Sequence, residues 1–376
     1  MKPLPILLAS ALLLLTTFAA EESPADVKLR TDIPMGGALK PNPKVPTFVV
    51  VGHGARIIVS KDDGKKWQQT FFAAPGADHG AWATKTVTYG SGVFVVGVGW
   101  GGPTIYLASD NAVKWSHLTH GKAKLPESKG DVRVMPGTWG LAAGKGAFVA
   151  AGYMAMTTTS DLGATFDSFS MWGAFKNDAR GYKLSTHHVD PVFVSETIGR
   201  FLALGDNRGK DGPKFGSLFA SDDLGKTWKW LEPKGLDAST GRGTLVSNGK
   251  FLLMTDANSE NDWTSSDGGE TWSGPHQTGT KRSVLSVVGS EFWLIGKPSR
   301  ASADGKTWRD LPAAVPSGQI IASDKGTLIS IAPQRFNILR STDGGKSWNE
   351  VHSYTPPDIQ GGAQGLRDGS FGLVAP

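Results

Sequence analysis

The chain has 376 residues, with 49 glycines, 13 tryptophans, no cysteine, and 39 lysines and arginines against 34 aspartates and glutamates. The net charge of +5 is spread through both signs without a long basic block, so nucleic acid is not an expected partner. The lack of cysteine excludes a disulfide framework, thiolate metal sites and lipid attachment through a cysteine, leaving core packing to hold the fold.

Residues 1–20 carry Lys2, the apolar runs Leu4-Pro5-Ile6-Leu7-Leu8 and Ala11-Leu12-Leu13-Leu14-Leu15, then small residues at Ala19-Ala20 before Glu21-Glu22. This pattern predicts a secretory signal peptide cleaved near Ala19 or Ala20, with an uncleaved N-terminal anchor as the alternative. The apolar core is short for a membrane-spanning helix, and no later stretch is long enough to span. The mature protein is therefore expected to be secreted or periplasmic. Residues 21–45 contain proline and charge without periodicity, and are expected to form a leader over one face.

From residue 46 onward the chain reads as short strands separated by turns. Thr47-Phe48-Val49-Val50-Val51 and Arg56-Ile57-Ile58-Val59 lead into Ser60-Lys61-Asp62-Asp63-Gly64-Lys65-Lys66-Trp67. The same spelling, Ser/Thr-x-Asp-x-Gly-x-Ser/Thr/Lys-Trp/Phe, recurs at 159–166, 221–228, 265–272 and 341–348, with shortened forms at 109–115 and 302–308. In such a turn the aspartate accepts from nearby backbone amides and the glycine supplies a positive φ. The following aromatic starts the next strand and buries apolar surface.

The second unit is complete: strands at 84–89, 93–97, 105–108 and 115–118. Inner strands of later units are predicted at 140–143, 192–194, 243–246, 283–286 and 319–322. The signature aromatics lie between 36 and 62 residues apart, which suits one four-stranded blade each. Seven signatures favour an all-β, seven-bladed propeller, with six blades as the competitor. The first unit lacks one strand, and the C-terminal runs 363–367 and 371–374 supply it, leaving one strand over. The longest interval holds two additions, 167–189 and 206–215, which read either as specificity loops or as tolerated insertions.

The repeated turn resembles the Asp-box, or BNR repeat, of sialidase-like and photosystem-assembly-factor-like β-propellers, and the chain looks closer to the latter than to true sialidases. That resemblance gives Asp62, Asp161, Asp223, Asp267, Asp304 and Asp343 a structural role on the outer part of the blades. It also implies a ligand-binding centre away from those turns, on the face shared by loops entering the inner strands and loops between second and third strands. At those positions stand His79, Trp82, Trp100, Trp139, Tyr153, His187, His188, Asp190, Arg208, Arg242 and Arg282. The same positions also hold His53, Asp206, Asp262, Trp263, Lys297, Arg300, Gln319, Gln334, Arg335 and Gln364.

The arginines would suit a carboxylate or sulfate, and the tryptophans would offer flat faces to sugar rings. The competing picture has solvated arginines and tryptophans that plug the channel. His187-His188-x-Asp190 invites a metal or acid–base reading, but neighbouring side chains in a strand point to opposite faces and the spacing is no zinc motif. Sialidase chemistry needs an arginine triad, an acid/base carboxylate and a tyrosine nucleophile paired with glutamate. Here Asp32-Ile33-Pro34 stands where that family carries Arg-Ile-Pro, only Tyr153 of the five tyrosines lies near the mouth, and Glu196 is the nearest unusual acid.

No phosphate-binding glycine loop or dinucleotide fingerprint occurs, so no cofactor and no metal are expected and no catalytic residue is assigned. The leading expectation is a non-catalytic propeller binding a glycan or protein partner through its central face. A glycan-active hydrolase or lyase and an assembly factor are the alternatives. Exported from a secreting host, the protein should begin at Ala20 or Glu21 by intact mass spectrometry; a membrane-bound chain still carrying Lys2 would instead identify an anchor.

Overall fold

A computed structural model describes residues 39–52, 55–72, 84–98, 105–118, 140–152, 155–176, 178–179, 189–205, 217–236, 243–256, 260–332, 337–353 and 365–376. The described strands form seven four-stranded antiparallel sheets arranged as the blades of a propeller. Six blades take their strands consecutively from the chain. Blade 1 is composite: its inner strand is Leu366–Val374, followed outward by Val45–Gly52, Arg56–Ser60 and Gln68–Phe71. The two C-terminal runs predicted as separate strands are one nine-residue strand, so no strand is left over.

Burial explains why the middle strands read as unbroken apolar runs. Each blade is covered on both faces by its neighbours, so alternate residues bury into opposite seams. In Val93–Val98, Val93 and Val95 pack toward blade 3, whereas Phe94, Val96 and Val98 pack toward blade 1. Cover at the outer strands varies: Ser273–Gln277 and Arg309–Asp310 are largely exposed, whereas Ser116–His117 is buried.

Apolar clusters join blades 1 and 2, 2 and 3, 3 and 4, 4 and 5, 6 and 7, and 7 and 1. Blades 5 and 6 are joined in part by polar contacts. The Asn248 side-chain amide donates to the Ser290 and Ala303 carbonyls, at 2.8 and 3.0 Å.

The 167–189 addition proves to be partly core. Ser170 caps the short helix Met171–Phe175 by accepting from the Gly173 amide at 3.0 Å. Met171 is fully buried, and Phe175 stacks on Phe219 at 5.4 Å while meeting the Trp230 edge at 5.9 Å. This part of the addition seals the seam between blades 3 and 4 rather than forming a loop of its own. The 206–215 addition lies outside the described residues.

Three features close the ring. The strand Leu366–Val374 pairs with Val45–Gly52 from Val45↔Val374 to Gly52↔Leu366. Asp368 on that strand accepts from the Thr86 hydroxyl and Val87 amide of blade 2, each at 2.9 Å, and from the Gln319 side chain of blade 7 at 2.8 Å. At the rim, Asp63 of blade 1 accepts from Arg340 at 2.8 Å and from the Thr327 hydroxyl at 2.6 Å, both on blade 7. Ahead of Val45, residues 39–44 run beneath blade 2, where the Lys40 amide donates to Asp110 at 2.6 Å.

Partial burial opposes ionisation of Asp63, but hydrogen bonds from Thr327 and Arg340 outweigh it and hold its pKa below the ordinary value. Asp63→Asn should cost about 1–3 kcal/mol at neutral pH, measured by chemical denaturation. A depressed folded pKa means the charge-dependent part is complete above about pH 4 and is lost as pH falls further. Wild type and variant should therefore converge in acid.

Candidate functional site

Strand order gives the ring two distinct faces. One carries the hairpins between first and second strands and the signature turns between third and fourth. The other carries the loops between second and third strands and the links from each blade to the next.

The signature turns consume their own carboxylates. In blade 4 the Thr227 amide and hydroxyl donate to Asp223 at 2.9 and 2.6 Å, and the Ser221 hydroxyl donates at 2.8 Å. Asp62, Asp161, Asp267, Asp304 and Asp343 accept comparable bonds in their blades. Asn111 takes the same position in blade 2, where the Lys114 amide donates to it at 2.9 Å.

The Thr165 hydroxyl and amide depress Asp161, and Ser347 depresses Asp343 in the same way. For Asp223 and Asp267, partial burial works the other way but the hydrogen bonds win. Gly64 shows why the turn needs glycine. Its φ is +80°, and an added Cβ would come within 2.6 Å of Ile329 on blade 7. In the full-length turns of blades 1, 4, 5 and 7 the tryptophan indole donates to the glycine carbonyl at 3.0 Å. The shortened turn of blade 2 instead sends Trp115 to Thr70 of blade 1 at 3.1 Å.

Most of the predicted binding residues lie outside the described part of the chain: His79, Trp82, Trp100, Trp139, Tyr153, His187, His188, Arg208 and Arg242. Arg282 falls in the inner strand Lys281–Val288 of blade 6, opposite Gly296, its side chain also outside the description. Asp190 sits in the inner strand Val189–Phe193 of blade 4, opposite Leu204. Its Oδ1 lies 3.2 Å from where a Cβ on Gly140 would stand, so it is tucked against blade 3.

Three of the further positions, Asp262, Trp263 and Arg300, are not at the mouth. Asp262 and Trp263 are buried inside blade 5, at 0% and 1% exposure, and do not reach the mouth. Arg300 is held within blades 5 and 6, donating to Asp310 at 2.9 Å and to the Thr278 carbonyl. Glu196 lies beyond its inner strand on the signature-turn face, accepting from the Lys145 amide at 3.2 Å.

Asp368 was hidden from the sequence reading because Asp368-Gly369 spells a turn. Its Oδ1 also accepts from its neighbour, the Gly369 amide, at 2.8 Å, so two inner-strand neighbours and its own strand saturate the carboxylate. It keeps slight solvent access yet is surrounded by protein, as befits a narrow channel wall. Burial pushes its pKa up, against the pull of the four donors.

Two concavities stand out among the described residues. The channel end on the signature-turn face holds about 460 Å³, walled by Ala143, Pro191, Phe193, Val246 and Val287 with Glu196 at its edge. On the opposite face, blade 6 carries a groove of about 750 Å³. Its walls include Ile295, Leu311, Pro312 and Val315, together with Lys281 and Lys297. No group of three or more His, Cys, Asp or Glu side chains arranged to hold a metal occurs among the described residues. Nor is any described helix long and apolar enough to cross a membrane.

No family model matches the chain. A stretch of 165 residues, 39% of the chain, is 29% identical to an anhydrosialidase from Macrobdella decora. The match spans about 20% of that relative's length. Among solved structures, a protein of unknown function from Desulfotomaculum acetoxidans is similar with a TM-score of 0.54 at 12% identity. That alignment covers 86% of this chain and 99% of the other. A structure of YCF48 bound to a D1 peptide aligns with a TM-score of 0.51 at 12% identity, covering 92% of this chain and all of that one (100%). The chain is a seven-bladed β-propeller, similar in fold to YCF48 and, over part of its sequence, to an anhydrosialidase.

Proposed function

We propose that this is an exported, non-catalytic propeller that binds a protein or glycan partner through the face opposite the signature turns. The observation that carries this reading is the state of Asp368. It is a carboxylate on the channel wall, and its oxygens already accept from Thr86, Val87, Gln319 and Gly369. Proton transfer at that carboxylate would require dismantling the contacts that join blades 1, 2 and 7, whereas a general acid or base needs an open path to substrate. The aspartates of the signature turns are likewise engaged, on the other face. Binding through the loop face is supported by its roomy groove and by a propeller of the same fold having been solved with a peptide bound. Export rests on the apolar run and small residues within 1–20.

A glycan-active hydrolase or lyase is the second reading, favoured by the 29% identity to an anhydrosialidase. The two readings separate in a single experiment. The secreted protein is incubated with a panel of neutral, sialylated and uronate-containing oligosaccharides while binding and product masses are followed together. Binding of a glycan or of a co-purifying protein without any new product mass is the expected result. Time-dependent fragments, or unsaturated products of elimination, would replace this reading with the enzymatic one.

A further inference from the structure

Lys281 opens the inner strand of blade 6 and Lys297 ends the next strand; the two are register partners. Paired residues on antiparallel strands project from the same side of the sheet, and like charges placed directly opposite destabilise the pair. Ordinarily an acid nearby would relieve this. Among the described residues neither ammonium has an ion-pair or hydrogen-bond partner. The groove's own acid, Asp310, is already paired with Arg300 at 2.9 Å. The groove therefore presents two neighbouring positive charges without a described counter-charge.

Its walls are preformed. The Leu311 amide donates to the Ser299 carbonyl at 2.9 Å, and the Val315 amide to the Pro312 carbonyl at 3.1 Å. The Gly296 amide donates to the Ser299 hydroxyl at 3.1 Å, fixing the turn that carries Lys297. Leu311 and Val315 are anchored in the core cluster between blades 6 and 7 with Ile295 and Trp348. A groove of about 750 Å³ has the size of an ordinary ligand pocket, and walls already held by hydrogen bonds and core packing reduce the ordering cost of filling it.

Resting on the reading of this face as the binding face, we infer that the blade 6 groove docks a peptide segment in which carboxylates sit beside aliphatic side chains. Lys281 and Lys297 hold the carboxylate, and Ile295, Leu311 and Val315 receive the apolar side chains. The lining favours peptide over sugar, since none of its described residues is aromatic and a sugar ring would find no flat face to stack upon. A carboxylate bridging the two ammonium groups removes the repulsion between them, so affinity and salt sensitivity come from one contact.

The test uses the secreted protein and a fluorescein-labelled hexapeptide of alternating leucine and aspartate, read by anisotropy. The counterpart peptide carries asparagine in place of aspartate, and an oligogalacturonate serves as an acidic glycan probe. Saturable binding is expected below about 1 mM. It should weaken at least about tenfold with the asparagine peptide or in K281E/K297E, and survive in K281R/K297R. Thermal melts of both variants show that the fold is retained. Absence of saturation, equal binding by K281E/K297E, or tighter binding of the oligogalacturonate than of the peptide overturns the groove assignment. A protein partner still captured by K281E/K297E would overturn the groove alone and leave the wider reading standing, whereas glycan turnover would remove both.

Discussion

The pairing of Leu366–Val374 with Val45–Gly52 is the contact on which the rest of the ring depends. A ring of sheets has no free ends only if its last strand returns to its first blade, and an unpaired inner strand would leave an edge open to other chains. Here the returning strand also seals two seams by shape. An added Cβ at Gly372 would fall 2.2 Å from the Tyr89 ring of blade 2, and one at Gly369 would fall 2.3 Å from Ile321 of blade 7. Tyr89 in turn donates to the Leu373 carbonyl at 2.7 Å. Glycine brings the three inner strands within reach of one another, and Asp368 then ties them with side-chain and backbone donors.

This closure sorts the acidic residues by role. Asp368 and Asp63 hold blades 1, 2 and 7 together, one at the channel and one at the rim. The aspartates of the signature turns organise their own hairpins. A further network crosses blades 4 and 5, where Arg200 meets Asp222 at 2.6 Å and Glu270 at 2.7 Å. Carboxylates held as struts are not free to act as acids or bases, which supports placing the proposed ligand on the loop face. There the described surface offers aliphatic walls and unpaired ammonium groups.

Much of the architecture could be read from the chain because the repeated turn is local chemistry. Ser/Thr, Asp, Gly and an aromatic at fixed spacing make a hairpin by contacts within eight residues, so each copy announces its blade. The inner strands followed closely, although that of blade 4 begins at Val189 rather than Val192. The errors arose where long-range packing overrides local signals. Asp368-Gly369 spells a turn but lies within a continuous strand, because the glycine is required by neighbouring blades and the aspartate by their donors. Met171 and Phe175 fall in an addition that reads either as a specificity loop or as a tolerated insertion, yet both fill a seam.

The proposed groove was less legible for a related reason: Lys281, Lys297, Leu311 and Val315 are separated in the chain and meet only through the folding of blade 6. Lys281 and Lys297 carry no motif, and their relation appears only in the strand register. The most direct measurement is a crystal structure of residues 21–376 soaked with acidic peptides and with acidic and neutral oligosaccharides. The expected result is seven blades closed by Leu366–Val374, with intact ligand on the face opposite the signature turns and Asp368 still bonded to Thr86 and Gln319. Ligand on the signature-turn face, or a cleaved ligand against a released Asp368, would contradict it.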